Sequence, residues 1–366
     1  MKMPLPPGPP LRTTIKADVD AWASYADRID VRSPSEFAED HLPGALNLPV
    51  LDDAERTRVG TMYVQQSAFD ARKVGAALVA RNIATICETY ARDKPRDWSP
   101  LVYCWRGGQR SRSLVHVLEE IGFRAAQLDG GYRTWRRHVV TMLAHLPERY
   151  RFRVVCGLTG SGKSRLIQAL AAEGAQVLDL EQLAKHRGSL LGDLPGDPQP
   201  SQKRFESELF AALASLDAGK PVFVESESRR IGRLQLPDGL LAEMRTSPCL
   251  RVEASRALRV AMLLEDYAHF ARDDEALQGR LASLAALHGK SAVERWMVLG
   301  RAGAAAELTG DLLDVHYDPS YRRAIERNFP RQRHAEVLRV DDATQPGFAR
   351  LARQVLDRTA ATASAA

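Results

Sequence analysis

The sequence predicts an α/β protein of two domains, and three observations carry that prediction. At 366 residues the chain is longer than a usual single domain. Twice, a short apolar run leads into a glycine-rich, cation-bearing loop and then into helical spacing: Leu101-Val102-Tyr103 before Cys104, and Val154-Val155-Cys156 before Gly157. Beyond residue 154, further apolar strands alternate with helical segments, the pattern of a mostly parallel sheet wound with helices. An apolar fraction of 45% is ample for two cores.

Composition narrows the class. Cys87, Cys104, Cys156 and Cys249 are scattered and form no C-x-x-C pair, which argues against a disulfide framework or a zinc site and for a reducing cytoplasm. The proline-rich start, Met1 to Pro10, has no apolar core and does not read as a signal peptide. No stretch approaches the ~20 apolar residues that span a bilayer, so a soluble protein without membrane contact is expected. The net charge of +5 and pI near 9.1 permit a polyanionic partner. Arginine supplies 42 of the 51 basic residues; it grips phosphate bidentately, though a GC-rich genome gives the same bias.

In chain order, residues 1–12 read as a loose leader. A strand fits Asp27 to Val31, and Ser33-Pro34 then opens a short helix. Pro43-Gly44 turns the chain toward another strand, and residues 52–96 read as mostly helical. Next comes Cys104-Trp105-Arg106-Gly107-Gly108-Gln109-Arg110-Ser111, followed by Leu114, Val117, Leu118 and Ile121 at helical spacing. Such a loop turns its amides inward around an anion, and the next helix aims its positive end at the same place. Gly107, Gly108, Gln109 and Ser111 are the candidate anion loop. Cys104 is the candidate nucleophile, expected to ionise readily there, with Arg106 and Arg110 as catalytic cations. A strand over Ala125 to Leu128 leads into Asp129-Gly130-Gly131-Tyr132-Arg133-Thr134-Trp135.

A basic stretch with Arg149, Arg151 and Arg153 follows, and then Gly157-Leu158-Thr159-Gly160-Ser161-Gly162-Lys163-Ser164, a match to G-x4-G-K-S between a strand and a helix. In such a P-loop the amides of Gly157, Gly160, Ser161 and Gly162 cradle a diphosphate. Lys163 reaches its outer phosphate, and Ser164 can hold Mg²⁺. Further strands fit Gln176 to Leu180, Pro221 to Glu225, Leu250 to Glu253 and Glu336 to Val340. Asp179 and Glu225 each end a strand; Glu225 is the preferred partner of Mg²⁺, against helix capping or an ion pair as the alternative. Arg229, Arg230 and Arg233 lie just beyond it. The long loop after Lys185-His186-Arg187-Gly188-Ser189 reads as functional or mobile. The charged and aromatic clusters of residues 255–330 read as solvated helix faces, and residues 359–366 as a disordered tail.

Three signatures resemble the rhodanese (sulfurtransferase) domain: D-V-R-x-x-x-E-F-x-x-x-H-L-x-G-A-x-N-L-P from Asp30 to Pro49, the Cys104 loop, and L-x-G-G-Y-x-x-W from Leu128 to Trp135. The resemblance implies a cysteine that carries sulfur or selenium as a persulfide or perselenide. Many rhodanese loops read C-x-x-G-x-R-S, one residue shorter than Cys104 to Ser111. The C-x5-R spacing here also resembles rhodanese-related phosphatases, whose loop holds a tetrahedral phosphorus oxyanion. Gly108 is the candidate extra residue, expected to supply a backbone angle that other residues avoid.

Joined to a P-loop domain, the whole resembles the tRNA 2-selenouridine synthase family, through the two loops together with His186-Arg187-Gly188-Ser189, Glu227-Ser228-Arg229 and His316-Tyr317-Asp318. The expected layout is a rhodanese-like domain at 13–140, a basic linker at 141–153 and a P-loop domain at 154–358. The resemblance implies exchange of sulfur for selenium at wobble 2-thiouridine in the tRNA anticodon arm. It implies selenophosphate and geranyl diphosphate as co-substrates, an S-geranylated intermediate, and a selenophosphate-producing enzyme as a partner. Arg149, Arg151, Arg153, Arg229 and Arg230 are candidate tRNA contacts. The alternative is an NTP-dependent kinase or regulatory P-loop protein fused to a sulfurtransferase that serves a protein acceptor.

Overall fold

A computed structural model describes residues 14–189, 191–268 and 274–364. The chain forms two compact units that meet in sequence at Thr141 and Met142. The first contains β1 (Ile15–Ala17), β2 (Arg28–Asp30), α1 (Pro34–Glu39), β3 (Ala45–Asn47), α2 (Asp53–Gln65), α3 (Ala68–Ile86), β4 (Leu101–Tyr103), α4 (Gln109–Ile121) and β5 (Ala126–Leu128). Helix α5 (Gly131–His145) follows and carries the chain across the boundary. All five strands are parallel, in the order β1-β5-β4-β2-β3. Strand β1, three residues on the sheet edge, has no counterpart in the sequence pattern. Buried Ile29, Val102, Leu114, Val115 and Leu118 form the core between sheet and helices.

The D-V-R signature is architectural. Arg32 and Asp30 are buried and paired at 2.6 Å, and Arg32 also donates to the Asp40 carbonyl and lies 3.9 Å over the Tyr132 ring. Tyr132 in turn donates to Asp40 Oδ2 at 2.8 Å. The first and third signatures thus lock onto each other beneath the loop that separates them in sequence.

The second unit holds β6 (Arg151–Cys156), α6 (Lys163–Ala172), β7 (Gln176–Leu178), α7 (Leu180–Ala184), α8 (Gln202–Ala214), β8 (Pro221–Glu225), the short pair β9 (Arg230–Ile231) and β10 (Leu234–Gln235), α9 (Asp238–Thr246) and β11 (Cys249–Ala254). It continues through α10 (Arg256–Asp266), α11 (Asp274–Ala282), α12 (Ala285–His288), α13 (Lys290–Arg301), α14 (Ala305–Leu312), α15 (Asp318–Asn328), β12 (Glu336–Val340) and α16 (Gln345–Ser364). The main sheet is parallel throughout, in the order β12-β11-β6-β8-β7. Helices cover it, which is why Val222, Phe223 and Val224 form an unbroken buried run. Helices α10 to α15 build a satellite core of their own around Trp296, Leu281, Leu284 and Leu313.

Three expectations are corrected. Residues 141–153 are not a free linker: they comprise the end of α5, a 3-10 turn (Leu146–Arg149) and the start of β6. Leu146, Pro147 and Tyr150 are buried there, and Tyr150 donates its hydroxyl to the Leu213 carbonyl. The segment 359–364 continues α16, whose alanines favour helix. Strand β7 stops at Leu178 because Asp179 caps α7, accepting from the Gln182 amide at 2.9 Å. The leader at 1–12 and residues 365–366 lie outside the described residues.

Candidate active sites

In the first unit, β4 delivers Cys104 to the end of the sheet. The sulfur is nearly buried, and two donors reach it: the Gly108 amide at 3.3 Å and Ser111 Oγ at 3.2 Å. Gly108 is the N-cap of α4, so the helix starts beside the sulfur. Gln127, buried on β5, binds the loop from beneath. Its Nε2 donates to Ser111 Oγ at 2.6 Å and to the Gly107 and Gly108 carbonyls at 3.0 and 3.1 Å. The Gly130-Gly131-Tyr132 turn closes the other side, with the Tyr132 and Arg133 amides donating to the carbonyls of Cys104 and Trp105.

The left-handed turn falls at Gly107, where φ is +61° and a Cβ would meet the Leu128 carbonyl oxygen at 2.8 Å. At Gly108 φ is −96° and a Cβ would meet nothing within 4 Å. The expectation that Gly108 supplies the unusual angle is therefore corrected: that demand sits one residue earlier.

The two arginines are placed differently. Arg106 is exposed, as is Gln109. Arg110 is held by Glu36 of α1, Nη1 to Oε2 at 2.7 Å. Burial pushes the Glu36 carboxyl up, but the hydrogen bond and charge of Arg110 outweigh it and hold the group below its ordinary value.

In the second unit, the loop 157–164 joins β6 to α6. Gly160 and Gly162 have φ of +73° and +92°, and a Cβ on Gly162 would overlap the Phe348 ring. Lys163 Nζ donates to the Gly157 carbonyl at 3.0 Å and lies 5.9 Å from the Tyr321 ring centre. Ser164 donates to Glu181 Oε2 at 2.8 Å. Glu181 on α7, Glu225 at the end of β8 and Glu227 just beyond bring one oxygen each within 4.8 Å of one another. Glu225 is fully buried, and neither of its carboxylate oxygens has a hydrogen-bond partner among the described residues. Burial first, then the charges of Glu181 and Glu227, push its carboxyl well up. Glu227 is pushed up to about 8 by burial and by Glu181, with Lys163 opposing.

Residues 150–289 match the model of the tRNA 2-selenouridine synthase AAA domain, and residues 17–138 match the rhodanese-like domain. A tRNA 2-selenouridine synthase of Bdellovibrio bacteriovorus is 33% identical over 85% of this chain and 90% of its own length. Those of Marinobacter nauticus and Nitrosomonas europaea are 38% and 39% identical, over 72% and 65% of this chain and 69% and 63% of their own lengths. The chain belongs to the tRNA 2-selenouridine synthase family.

Family stretches beyond the two loops acquire physical roles. In His186-Arg187-Gly188-Ser189, Gly188 has φ +64°, and a Cβ there would lie 3.0 Å from an oxygen of both Glu181 and Glu227. Asp318 of the His316-Tyr317-Asp318 stretch pairs with buried Arg259 at 2.9 Å, and Arg259 Nε donates to the Thr159 carbonyl of the P-loop.

The reading of residues 255–330 as solvated faces is thereby corrected in part. Tyr317 is buried, and Tyr321 lies over Lys163 and donates to the Gly188 carbonyl at 3.4 Å. Asp179 caps a helix, whereas Glu225 faces other carboxylates. Glu181, Gln127 and Arg259 carry no motif that marks them in the sequence, and Glu227 stands out there only as part of a family stretch. The repeat Glu225-Ser226-Glu227 was the one available signal.

Of the five candidate tRNA contacts, Arg149, Arg151, Arg229 and Arg230 are exposed. Arg151 donates to the Gly219 carbonyl, and Arg229 pairs with Asp238 at 2.8 Å. Arg153 is half-buried on β6. Among the described residues, no helix is long and apolar enough to cross a membrane.

Proposed function

We propose that this chain replaces sulfur by selenium in the wobble 2-thiouridine of tRNA, in the cytoplasm, by two reactions in sequence. In the first, loop 157–164 holds the diphosphate of geranyl diphosphate and the thiouridine sulfur attacks its allylic carbon. Diphosphate departs toward Lys163 and the loop amides, whose positive charge stabilises it. Mg²⁺ fits this site, since Ser164 and the unpartnered Glu225 offer hard oxygen ligands; when bound it would neutralise charge on the leaving diphosphate.

In the second reaction, selenium displaces the alkylated sulfur at C2, and geranyl thiol leaves. Selenophosphate is the donor, supplied by a separate selenophosphate-producing enzyme, and Cys104 is the selenium carrier. The Gly108 amide and Ser111 hydroxyl hold its sulfur, and Arg106, exposed and without an ion pair among the described residues, is placed to meet an incoming anion. If thiolate takes selenium as a perselenide, phosphorus keeps the bonding electron pair and leaves as phosphite. Once that selenium has bonded to C2, a second thiol, the reductant, attacks the Cys104 sulfur, breaks the S–Se bond to release 2-selenouridine and is left in a disulfide with Cys104. Hydrolysis at phosphorus yields phosphate and selenide instead, and bypasses a perselenide.

The observation that supports the reading most is the presence, in one member of this family, of two loops built for different anions. One is centred on a nearly buried thiol and the other on Lys163. Incubation of thiolated tRNA with the protein, geranyl diphosphate and selenophosphate, followed by nucleoside mass spectrometry, tests it. New 2-selenouridine is expected, with S-geranylated thiouridine accumulating when selenophosphate is withheld. Nucleotide hydrolysis without either product would favour the kinase-like alternative. Phosphorus NMR of the same mixture reads the carrier role: phosphite supports a perselenide on Cys104, and phosphate alone counts against it.

A further inference from the structure

Glu181, Glu225 and Glu227 come from three places in the chain: the first turn of α7, the end of β8 and the segment after it. Their oxygens converge within 4.8 Å. A buried carboxylate with no hydrogen bond is costly unless a proton or a cation joins it, and Glu225 leaves both oxygens unpartnered among the described residues. Of the nearby cations, Lys163 is turned to the Gly157 and Leu158 carbonyls, and Arg187 donates to the Asp266 carbonyl.

The surroundings keep the three groups together. Ser164 tethers Glu181 to the start of α6, and Gly188 brings backbone against Glu181 and Glu227 where a Cβ would press on both.

We propose that Glu181, Glu225 and Glu227 bind one divalent cation on the protein's own oxygens, before any diphosphate enters the loop 157–164. The all-oxygen donor set selects a hard ion such as Mg²⁺ or Mn²⁺ over zinc. Mg²⁺ at phosphate-binding sites usually takes only one or two carboxylates and completes its shell with substrate phosphates and water. Three carboxylates offset the ion's charge without a phosphate, so affinity does not wait for substrate. The ion then stands beside Ser164 and Lys163 as a preformed part of the diphosphate site. This order of binding rests on the diphosphate role proposed above, but cation binding itself involves neither diphosphate nor tRNA.

The test is electron paramagnetic resonance of Mn²⁺ with the full-length protein, freed of metal by EDTA and then desalted. Loss of the free-ion signal should saturate at one Mn²⁺ per chain without added diphosphate, and Mg²⁺ should restore the signal by competition. Glu181→Gln and Glu227→Gln should each weaken binding at least about tenfold, since each removes one charged ligand, with circular dichroism confirming that each is folded. Glu225→Gln is a third arm, so one poorly folding variant does not decide the matter. Binding seen only after inorganic diphosphate is added overturns the proposal. Equal binding by the folded variants and the parent also overturns it. Mn²⁺ bound as expected, with no geranylated or selenated nucleoside formed, would sink the proposed function and leave the cation site standing.

Discussion

Replacing Glu227 by glutamine should change how the stability of the second unit responds to pH. Glu227 is 7% exposed, and its carboxyl is pushed up to about 8 by burial and by the charge of Glu181, against the attraction of Lys163. In the unfolded chain the same group releases its proton near 4.5. Between these values the folded chain holds a proton that the unfolded chain has lost. A raised folded value means that the stabilising contribution is complete below pH 4.5 and disappears as pH climbs through about 8. The slope is about 1.4 kcal/mol per pH unit for a single proton. One proton over three pH units sets a ceiling of about 4 kcal/mol, and because Glu181 and Glu225 share the repulsion, the gap should widen in favour of Glu227→Gln by about 2 to 4 kcal/mol from pH 5 to pH 8. Urea denaturation in EDTA, read by pulse proteolysis with fragments of residues 142–366, measures it. Parallel stability curves for parent and variant would refute the argument, because Glu227 would then titrate alike in both states.

Four other outcomes are expected. Cys104→Ala should abolish selenium incorporation while leaving geranylation and the fold intact, and Ser111→Ala should slow incorporation by roughly tenfold or more as a donor to sulfur is lost; nucleoside mass spectrometry reads both. Lys163→Ala should stop geranylation, yet still exchange selenium when S-geranylated tRNA is supplied; equal loss of both steps would show that they are not separable. Gly107→Ala should destabilise the first unit by about 1 to 3 kcal/mol through its positive φ and the Leu128 contact, whereas Gly108→Ala should stay within about 1 kcal/mol, as thermal unfolding would show. Reversing charge at Arg149, Arg229 and Arg230 should weaken binding of all tRNAs and flatten its salt dependence, measured by filter binding at several salt concentrations.

Much of the fold was readable because its signals are local. Strand β8 is a run of apolar residues bounded by Pro221 and Glu225, and both glycine-rich loops sit between a strand and a periodic helix. What escaped had weak or borrowed local signals. Strand β1 has three residues, Ile-Lys-Ala, and exists because β5 offers it an edge to pair with. The segment 141–153 looks like a linker for its charge, but its few apolar residues find buried places that composition does not reveal. The tail is alanine-rich, and alanine extends a helix once α16 has been nucleated.

The sites divide along the same line. A thiol inside a glycine-rich loop, or a lysine after G-x-G, declares itself because its neighbours in sequence are its neighbours in space. Glu181 does not: in sequence it is an acid in the first turn of a short helix, where the helix dipole alone would explain it. Only the sheet order, which sets β7 beside β8 and β8 beside β6, brings Glu181 against Glu225 and beneath Ser164. Gln127 likewise gains its role because β5 lies beside β4, so its side chain reaches the carbonyls of the Cys104 loop. Glu181 and Gln127 both act across a strand pairing. In a parallel sheet such pairings join segments separated by long crossovers, so the chemistry that depends on them emerges with the topology and not with the motif.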